Sequence, residues 1–187
     1  MGDPRRIKKK YQTPSHPWQG ERIKEEKEIV IKFGLKNKKE VWKMQSALKK
    51  IKRQTKSLIA LSTAQADKEM KLLLAKLAKL KILPETAQLD EVLGLKLEDI
   101  LNRRLQTILF KKGLARTIKQ ARQFIVHGHI TLNNQKITVP AYLVKAAEEN
   151  QIGFTSKSTL KELTHPERVP LESKNKKTEE KPIELTA

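Results

Sequence analysis

From residue 21 onward, apolar side chains recur at three- and four-residue spacing, the period of an amphipathic helix. Ile23, Val30 and Phe33 predict a first helix that starts at Glu21 and stops at Gly34. Asn37, with Glu40 three residues on, has the pattern of a capping box. Val41, Met44, Leu48, Ile51 and Leu58 then predict a long second helix. Ala66, Met70, Leu73, Leu77 and Leu80 share one face of a third, which Pro84 is expected to end. Leu97, Ile100, Leu101, Leu105, Ile108 and Leu109 predict one continuous helix running to Gly113. Thr117 with Gln120 repeats the capping pattern, Ile118, Ala121 and Ile125 supply a buried side, and Gly128 closes that short helix.

Beyond Gly128 the period switches to two. Ile130 and Leu132, the turn Asn133-Asn134-Gln135-Lys136, then Ile137 and Val139 predict a β-hairpin. Pro140 breaks the ladder, Tyr142 and Val144 suggest a further short strand, and Ile152 with Phe154 a last one. The ends lack periodicity. Residues 1–20, with Pro4, Pro14, Pro17 and Gly20, read as an extended arm that cannot order by itself, because it buries too little apolar surface. Residues 166–187 read as a polar tail. The expected fold class is α+β, with an arm (1–20), a helical domain (21–99), a helix–helix–hairpin–strand domain (100–165) and the tail.

Charge changes the picture from fold to partner. The 187 residues hold 40 Lys and Arg against 21 Asp and Glu, a formal net charge of +19. Residues 1–60 carry 18 bases and 6 acids, whereas residues 100–147 carry 9 bases and no acid. A stretch without acids suits a surface that lies against fixed negative charge. The absence of cysteine excludes disulfides, thiolate metal sites and cysteine nucleophiles. No run approaches the roughly 20 apolar residues of a membrane span, and Met1-Gly2-Asp3-Pro4-Arg5-Arg6 lacks the apolar stretch of a signal peptide. Aromatics are only 4%, which disfavours recognition by stacking many unpaired bases. The expectation is a soluble, cytoplasmic protein that binds a polyanion.

The candidate ligands fall into three groups. Arg103, Arg104, Lys111, Lys112, Arg116, Lys119 and Arg122 supply the cations of the acid-free stretch. Arg116 and Thr117 stand at a predicted helix start, where free N–H groups and the positive dipole end favour phosphate. Gln120 joins them there. Thr117 as a plain helix cap is the competing reading. Lys119, Arg122 and Gln123 lie on the side turned away from Ala121 and Ile125. A second group, Lys49, Lys52, Arg53 and Lys56, makes a stripe along the long helix. The third is the arm cluster Arg5, Arg6, Lys8, Lys9 and Lys10. His127 and His129 have no third ligand at metal spacing; they read as ring N–H donors to RNA or as helix-end residues. His16 reads as a packing or phosphate contact, and Trp18 and Trp42 as core or docking residues. Neither a Gly-rich phosphate loop nor a nucleophile elbow is present, so no catalytic role, cofactor, metal or small-molecule substrate is expected.

The blocks Arg103-Arg104-Leu105, Lys112-Gly113-Leu114-Ala115-Arg116-Thr117, Gln120-Ala121-Arg122-Gln123, His127-Gly128-His129-Ile130 and Pro140-Ala141-Tyr142-Leu143-Val144 together resemble the S-four RNA-binding domain. The opening, Gly2-Asp3-Pro4 through Lys9-Lys10-Tyr11, Pro14, His16-Pro17-Trp18 and Glu21-Arg22-Ile23, is similar to the archaeal branch of the ribosomal small-subunit protein-four family. That resemblance implies two helices on a small, mainly antiparallel sheet, beside a helical domain. It implies a primary binder of small-subunit ribosomal RNA that holds a folded junction between its domains and nucleates assembly of the subunit body. It implies contacts with neighbouring proteins, small-subunit protein five foremost, and through them an influence on decoding accuracy. Some relatives place zinc-binding cysteines near the start; this chain has none, so no zinc is carried over. Where the family often has Asn-Gly in the hairpin, Asn133-Asn134 stands here. Two rivals are kept: a non-specific nucleic-acid-compacting protein, and a membrane-surface or partner-helix binder using the basic helix at 38–58.

Overall fold

A computed structural model describes residues 9, 11–61, 63–162 and 165–167. Its helices are α1 (Gly20–Lys32), α2 (Lys38–Ile59), α3 (Ala64–Lys79), α4 (Leu89–Gly94), α5 (Leu97–Asn102), α6 (Leu105–Lys111) and α7 (Ile118–Val126). The strands are β1 (Ile130–Leu132), β2 (Gln135–Lys136) and β3 (Ile152–Phe154), with short 3-10 turns at Ala146–Gln151 and Thr159–Lys161. The described residues fall into two compact units. One lies within Met1–Leu105 and Tyr142–Ala147, the other within Gln106–Ala141 and Glu148–Ala187.

In the first unit, α2 runs 22 residues, about 33 Å at 1.5 Å per residue, and serves two cores. Its start packs Val41 with Phe33, Leu35 and Leu101; its end packs Leu58 with Ala66, Leu73, Leu77, Val92 and Leu95. The apolar spacing of α1, α2 and α3 therefore does what it predicts. α1 ends where Gly34 (φ 56) lets Leu35 N–H reach the Val30 carbonyl at 3.0 Å. α3 ends in the same turn, earlier than Pro84 suggested: Lys81 takes φ 53, and Ile82 N–H reaches the Leu77 carbonyl at 3.2 Å. A lysine there carries the left-handed strain that glycine avoids.

Four expectations are corrected in this unit. The Asn37 side chain makes no cap hydrogen bond, and the Glu40 carboxylate pairs with Arg104 Nη2 at 2.7 Å. The helix expected from 97 to 113 is broken at Arg103-Arg104. There Arg104 bridges Leu143, Leu105 N–H donates to the Tyr142 carbonyl at 2.8 Å, and Val144 N–H donates to Arg103 O at 3.0 Å. Tyr142 and Val144 thus belong to this bridge and not to the sheet, which draws 142–147 into the first unit. Finally, residues 11–17 are not a loose arm. Gln12 N–H donates to Ser46 Oγ at 3.0 Å, and Arg22 Nη2 holds the carbonyls of His16 and Pro17. Arg5, Arg6, Lys8 and Lys10 of the arm cluster, and the tail from 168, lie outside the described residues.

In the second unit the sheet has the order β2-β1-β3, antiparallel throughout, as the α+β expectation requires. Asn133 (φ 50) and Asn134 (φ 62) form a two-residue turn of the I′ kind, which pairs Leu132 with Gln135. The second strand is therefore Gln135–Lys136 and not Ile137 to Val139; Val139 is exposed. β3 pairs Phe154 with Ile130. Ile108, Leu109, Ala121, Phe124, Ile125, Ile130, Leu132 and Ile152 are among its buried side chains. Among the described residues, no helix is long and apolar enough to cross a membrane.

The two left-handed helix ends should respond oppositely to substitution. Lys81→Gly should raise stability by about 1 kcal/mol, and Gly128→Ala (φ 75) should lower it by about 1–2 kcal/mol. Thermal unfolding followed by circular dichroism reads both; equal shifts in one direction would contradict the assignment.

Candidate nucleic-acid interface

The head of α7 is built by its own sequence. Thr117 stands at the N-cap and its Oγ1 accepts from Gln120 N–H at 3.1 Å. The Gln120 side-chain oxygen in turn accepts from Arg116 N–H at 2.7 Å. Ala121, Phe124 and Ile125 anchor the helix inward, so Lys119 and Gln123 face solvent and Arg122 is half-buried. Arg116 is also half-buried, and its Nε and Nη2 meet no hydrogen-bond acceptor. Those two nitrogens form one edge of the guanidinium, the fork that fits two oxygens of a phosphate. A carboxylate already approaches this head: Gln120 Nε2 donates to Glu167 Oε2 at 2.7 Å and to its carbonyl at 3.2 Å.

At the other end of α7, Gly128 permits a turn in which His129 N–H returns to the Phe124 carbonyl at 2.9 Å. His127 is exposed. His129 is held, with Nδ1 3.0 Å from Ser158 Oγ and its ring edge-on to Phe124. Lys111 and Lys112 are exposed at the end of α6, and Lys112 Nζ donates to the Glu149 carbonyl.

Arg103 and Arg104 depart from the group expected to face a ligand. Arg104 is 1% exposed and paired with Glu40, and Arg103, 8% exposed, donates from Nη2 to the Val144 carbonyl at 3.1 Å. Their guanidiniums build the fold. The signal was present in the sequence: Arg104 falls on the stripe Leu101, Leu105, Ile108 and so points inward with it.

In the first unit, α2 turns Val41, Thr55 and Leu58 inward and exposes Lys49, Arg53 and Lys56, with Lys52 half-buried. None of these four pairs with a carboxylate among the described residues. Lys49, Lys50 and Arg53 line one side of a cleft of about 390 Å³, and Lys9, Tyr11 and Gln12 line the other. Sequence reasoning missed Lys50, Tyr11 and Gln12, because nothing in the helical period says that the preceding coil folds back onto α2. His16 lines an adjoining hollow of about 280 Å³ with Arg22, Glu26 and Trp42. Trp42 is partly buried in the core, whereas Trp18 is 90% exposed. Among the described residues no three His, Asp or Glu side chains gather as a metal site.

Residues 103–150 match the S4 domain family. Over 169 residues, 90% of its length, the chain is 54% identical to small ribosomal subunit protein uS4 of Methanococcus aeolicus, covering 96% of that protein. It is 55% identical to uS4 of Methanococcus maripaludis over the same length, covering 95% of it. The chain belongs to the uS4 family. Its likeness to uS4 of Methanothermobacter thermautotrophicus, 50% over 161 residues, spans 94% of that protein, so the match is with whole uS4 chains and not with the S4 domain alone. In this uS4-family chain the S4 match takes in α6, α7 and the β1–β2 hairpin, while the cations of α2 lie outside it.

Burial separates structural from available cations, and stability should follow. Arg104→Ala removes the guanidinium 2.7 Å from the largely buried Glu40 carboxylate and should cost about 2–4 kcal/mol. Lys119→Ala, on an exposed face, should stay within about 0.5 kcal/mol. Denaturant titration measures both.

Proposed function

We propose that this chain is a non-catalytic constituent of the small ribosomal subunit that binds folded ribosomal RNA through backbone phosphates and 2′-hydroxyls. The observation that carries the reading is Arg116. Its Nε–Nη2 edge is shielded from solvent and meets no acceptor, an unsatisfied guanidinium at the head of a capped, packed helix, beside exposed Lys119, in a stretch of 48 residues without an acid. A fork held by a packed helix loses little side-chain freedom on binding, so more of its interaction appears as affinity. Glu167, the acid that comes to Gln120, supports the same reading, since it shows that an anionic oxygen fits there. Membership of the uS4 family supports ribosomal RNA over DNA as the polyanion. With few aromatics to stack unpaired bases, recognition by shape and backbone is favoured.

The candidate contacts are Arg116, Lys119, Arg122, Gln123, His127, Lys111 and Lys112 in the S4 unit, with Lys9, Lys49, Lys52, Arg53 and Lys56 in the helical unit. Thr117 and Gln120 act mainly by shaping the head of α7. In this role the protein binds early, nucleates the subunit body, and touches neighbouring proteins, small-subunit protein five foremost, with an effect on decoding accuracy and a place in the cytoplasm. Leaving it out of a stepwise reconstitution should block incorporation of later proteins; normal incorporation would refute the assembly role.

Filter binding to a small-subunit RNA fragment tests the interface. Arg116→Ala or Arg122→Ala should each cost about 1–3 kcal/mol, and Lys9→Ala less than about 1 kcal/mol. Glu167→Gln should tighten binding, because a competing carboxylate leaves the head of α7. Equal affinity for duplex DNA of the same length at roughly 0.2 M salt would favour non-specific compaction instead.

A further inference from the structure

Glu26 is a carboxylate that the proposed interface does not use, and it is 2% exposed. Its neighbours on α1, Glu21, Glu25 and Glu28, face solvent. A carboxylate taken from water is costly unless cations and donors surround it. Here Oε1 accepts from Arg22 Nη1 at 2.7 Å and from Trp42 Nε1 at 3.0 Å, and Lys38 Nζ stands 3.8 Å from Oε2.

Both strong partners continue outward to the same piece of coil. Arg22 Nη2 donates to the carbonyls of His16 at 2.9 Å and Pro17 at 2.8 Å. The Trp42 ring lies 6.3 Å from that of Tyr11, and one turn along α2, Ser46 Oγ donates to the Trp42 carbonyl and accepts from Gln12 N–H at 3.0 Å. Residues 11–19 belong to no helix or strand, so these side-chain contacts fix their place. That place matters because the coil forms one wall of the cleft lined by Lys9 on one side and Lys49, Lys50 and Arg53 on the other. No carboxylate lines the cleft, and none of its four cations has a partner among the described residues. Four like charges around about 390 Å³ repel one another until an anion enters.

We propose that Glu26 is a positioning residue for RNA: through Arg22 and Trp42 it seats the 11–17 coil on α1 and α2 and so closes a cleft for backbone phosphate. This rests on the ribosomal-RNA reading above. Glu26 touches no RNA itself. Arg22 cannot be replaced by lysine in this task, since one ammonium cannot hold a carboxylate and two carbonyls in the geometry of a planar fork.

The test is the sign of a charge-removing substitution. Taking a negative charge from a polyanion-binding protein ordinarily tightens binding, and Glu28→Gln, on the solvent side of the same helix, should do so slightly or do nothing. Glu26→Gln should instead weaken binding to the small-subunit RNA fragment at least fivefold. The slope of log affinity against log salt should fall by about one to two, the loss of one or two phosphate contacts. Lys49→Ala with Arg53→Ala should produce the same fall, and adding Glu26→Gln to that pair should change little more. Amide exchange at Gln12, whose N–H is held by Ser46, should accelerate in Glu26→Gln without RNA. Arg22→Lys should reproduce these effects with net charge unchanged, and it carries the test if Glu26→Gln fails to fold. Unchanged or tighter binding by a folded Glu26→Gln or Arg22→Lys, or additive effects with the α2 pair, would overturn the positioning role. A wild-type chain that does not prefer the RNA fragment to duplex DNA would overturn the RNA reading itself, which is a separate outcome.

Discussion

The Arg104–Glu40 pair, 2.7 Å long with the guanidinium 1% exposed, joins residues 64 positions apart in a chain that has nearly two cations for every acid. It fixes where the helical period must stop. Arg104 cannot continue a helix from α5 while its backbone bridges Leu143, so the chain breaks and α6 starts anew at Leu105. At the start of α2 the N-cap Asn37 makes no side-chain cap hydrogen bond. A buried pair of this kind is weak evidence for added stability, because desolvation offsets much of the attraction. Its consequence here is geometric: it chooses one break among several the sequence would allow.

Scarcity of acids gives each buried one a definite task. Glu26 and Glu40 both lie in the helical unit, each paired with an arginine and each tied to segments beyond its own helix. Lys49, Lys50, Arg53 and Lys56 of α2, by contrast, have no carboxylate partners among the described residues. A fold arranged this way keeps its own neutralisation inside and leaves its outer positive charge for an external polyanion. Arginine serves the inner role because a planar fork can meet a carboxylate and backbone carbonyls at once. Most of the outer charge on α2 is lysine, which stays hydrated and exposed.

Much of this was legible in the sequence, and the failures have common causes. The periods of α1, α2, α3 and α7 were long enough to read, and Gly34 and Gly128 marked their ends because left-handed backbone needs them. The alternation at Ile130 and Leu132 gave β1, and Ile152 with Phe154 gave β3. α4, six residues long, is too short to show a period. The break at Arg103-Arg104 depends on Leu143, some 40 residues away, and no local pattern announces it. The end of α3 at Lys81 was hidden because a lysine occupies a position that glycine usually marks. Thr117 and the basic face of α7 were readable from helical spacing; the cleft on α2 was not, since it needs Lys9, Tyr11 and Gln12 brought back by side chains far along the chain.

Two different devices thus hold cations ready. At α7 the device is local: a threonine cap, a glutamine brace and three buried side chains orient Arg116 and Lys119 within ten residues of sequence. At α2 it is non-local: a buried carboxylate, an arginine and a tryptophan hold a coil that has no ladder of its own. The local device forms as soon as its helix packs, whereas the non-local one forms only after α1 and α2 have docked. Ordering entropy is therefore paid at different stages, for α7 with the helix and for the coil with the tertiary fold. The local device leaves the Arg116 Nε–Nη2 edge shielded and without an acceptor, while the α2 cleft gathers four cations around one space.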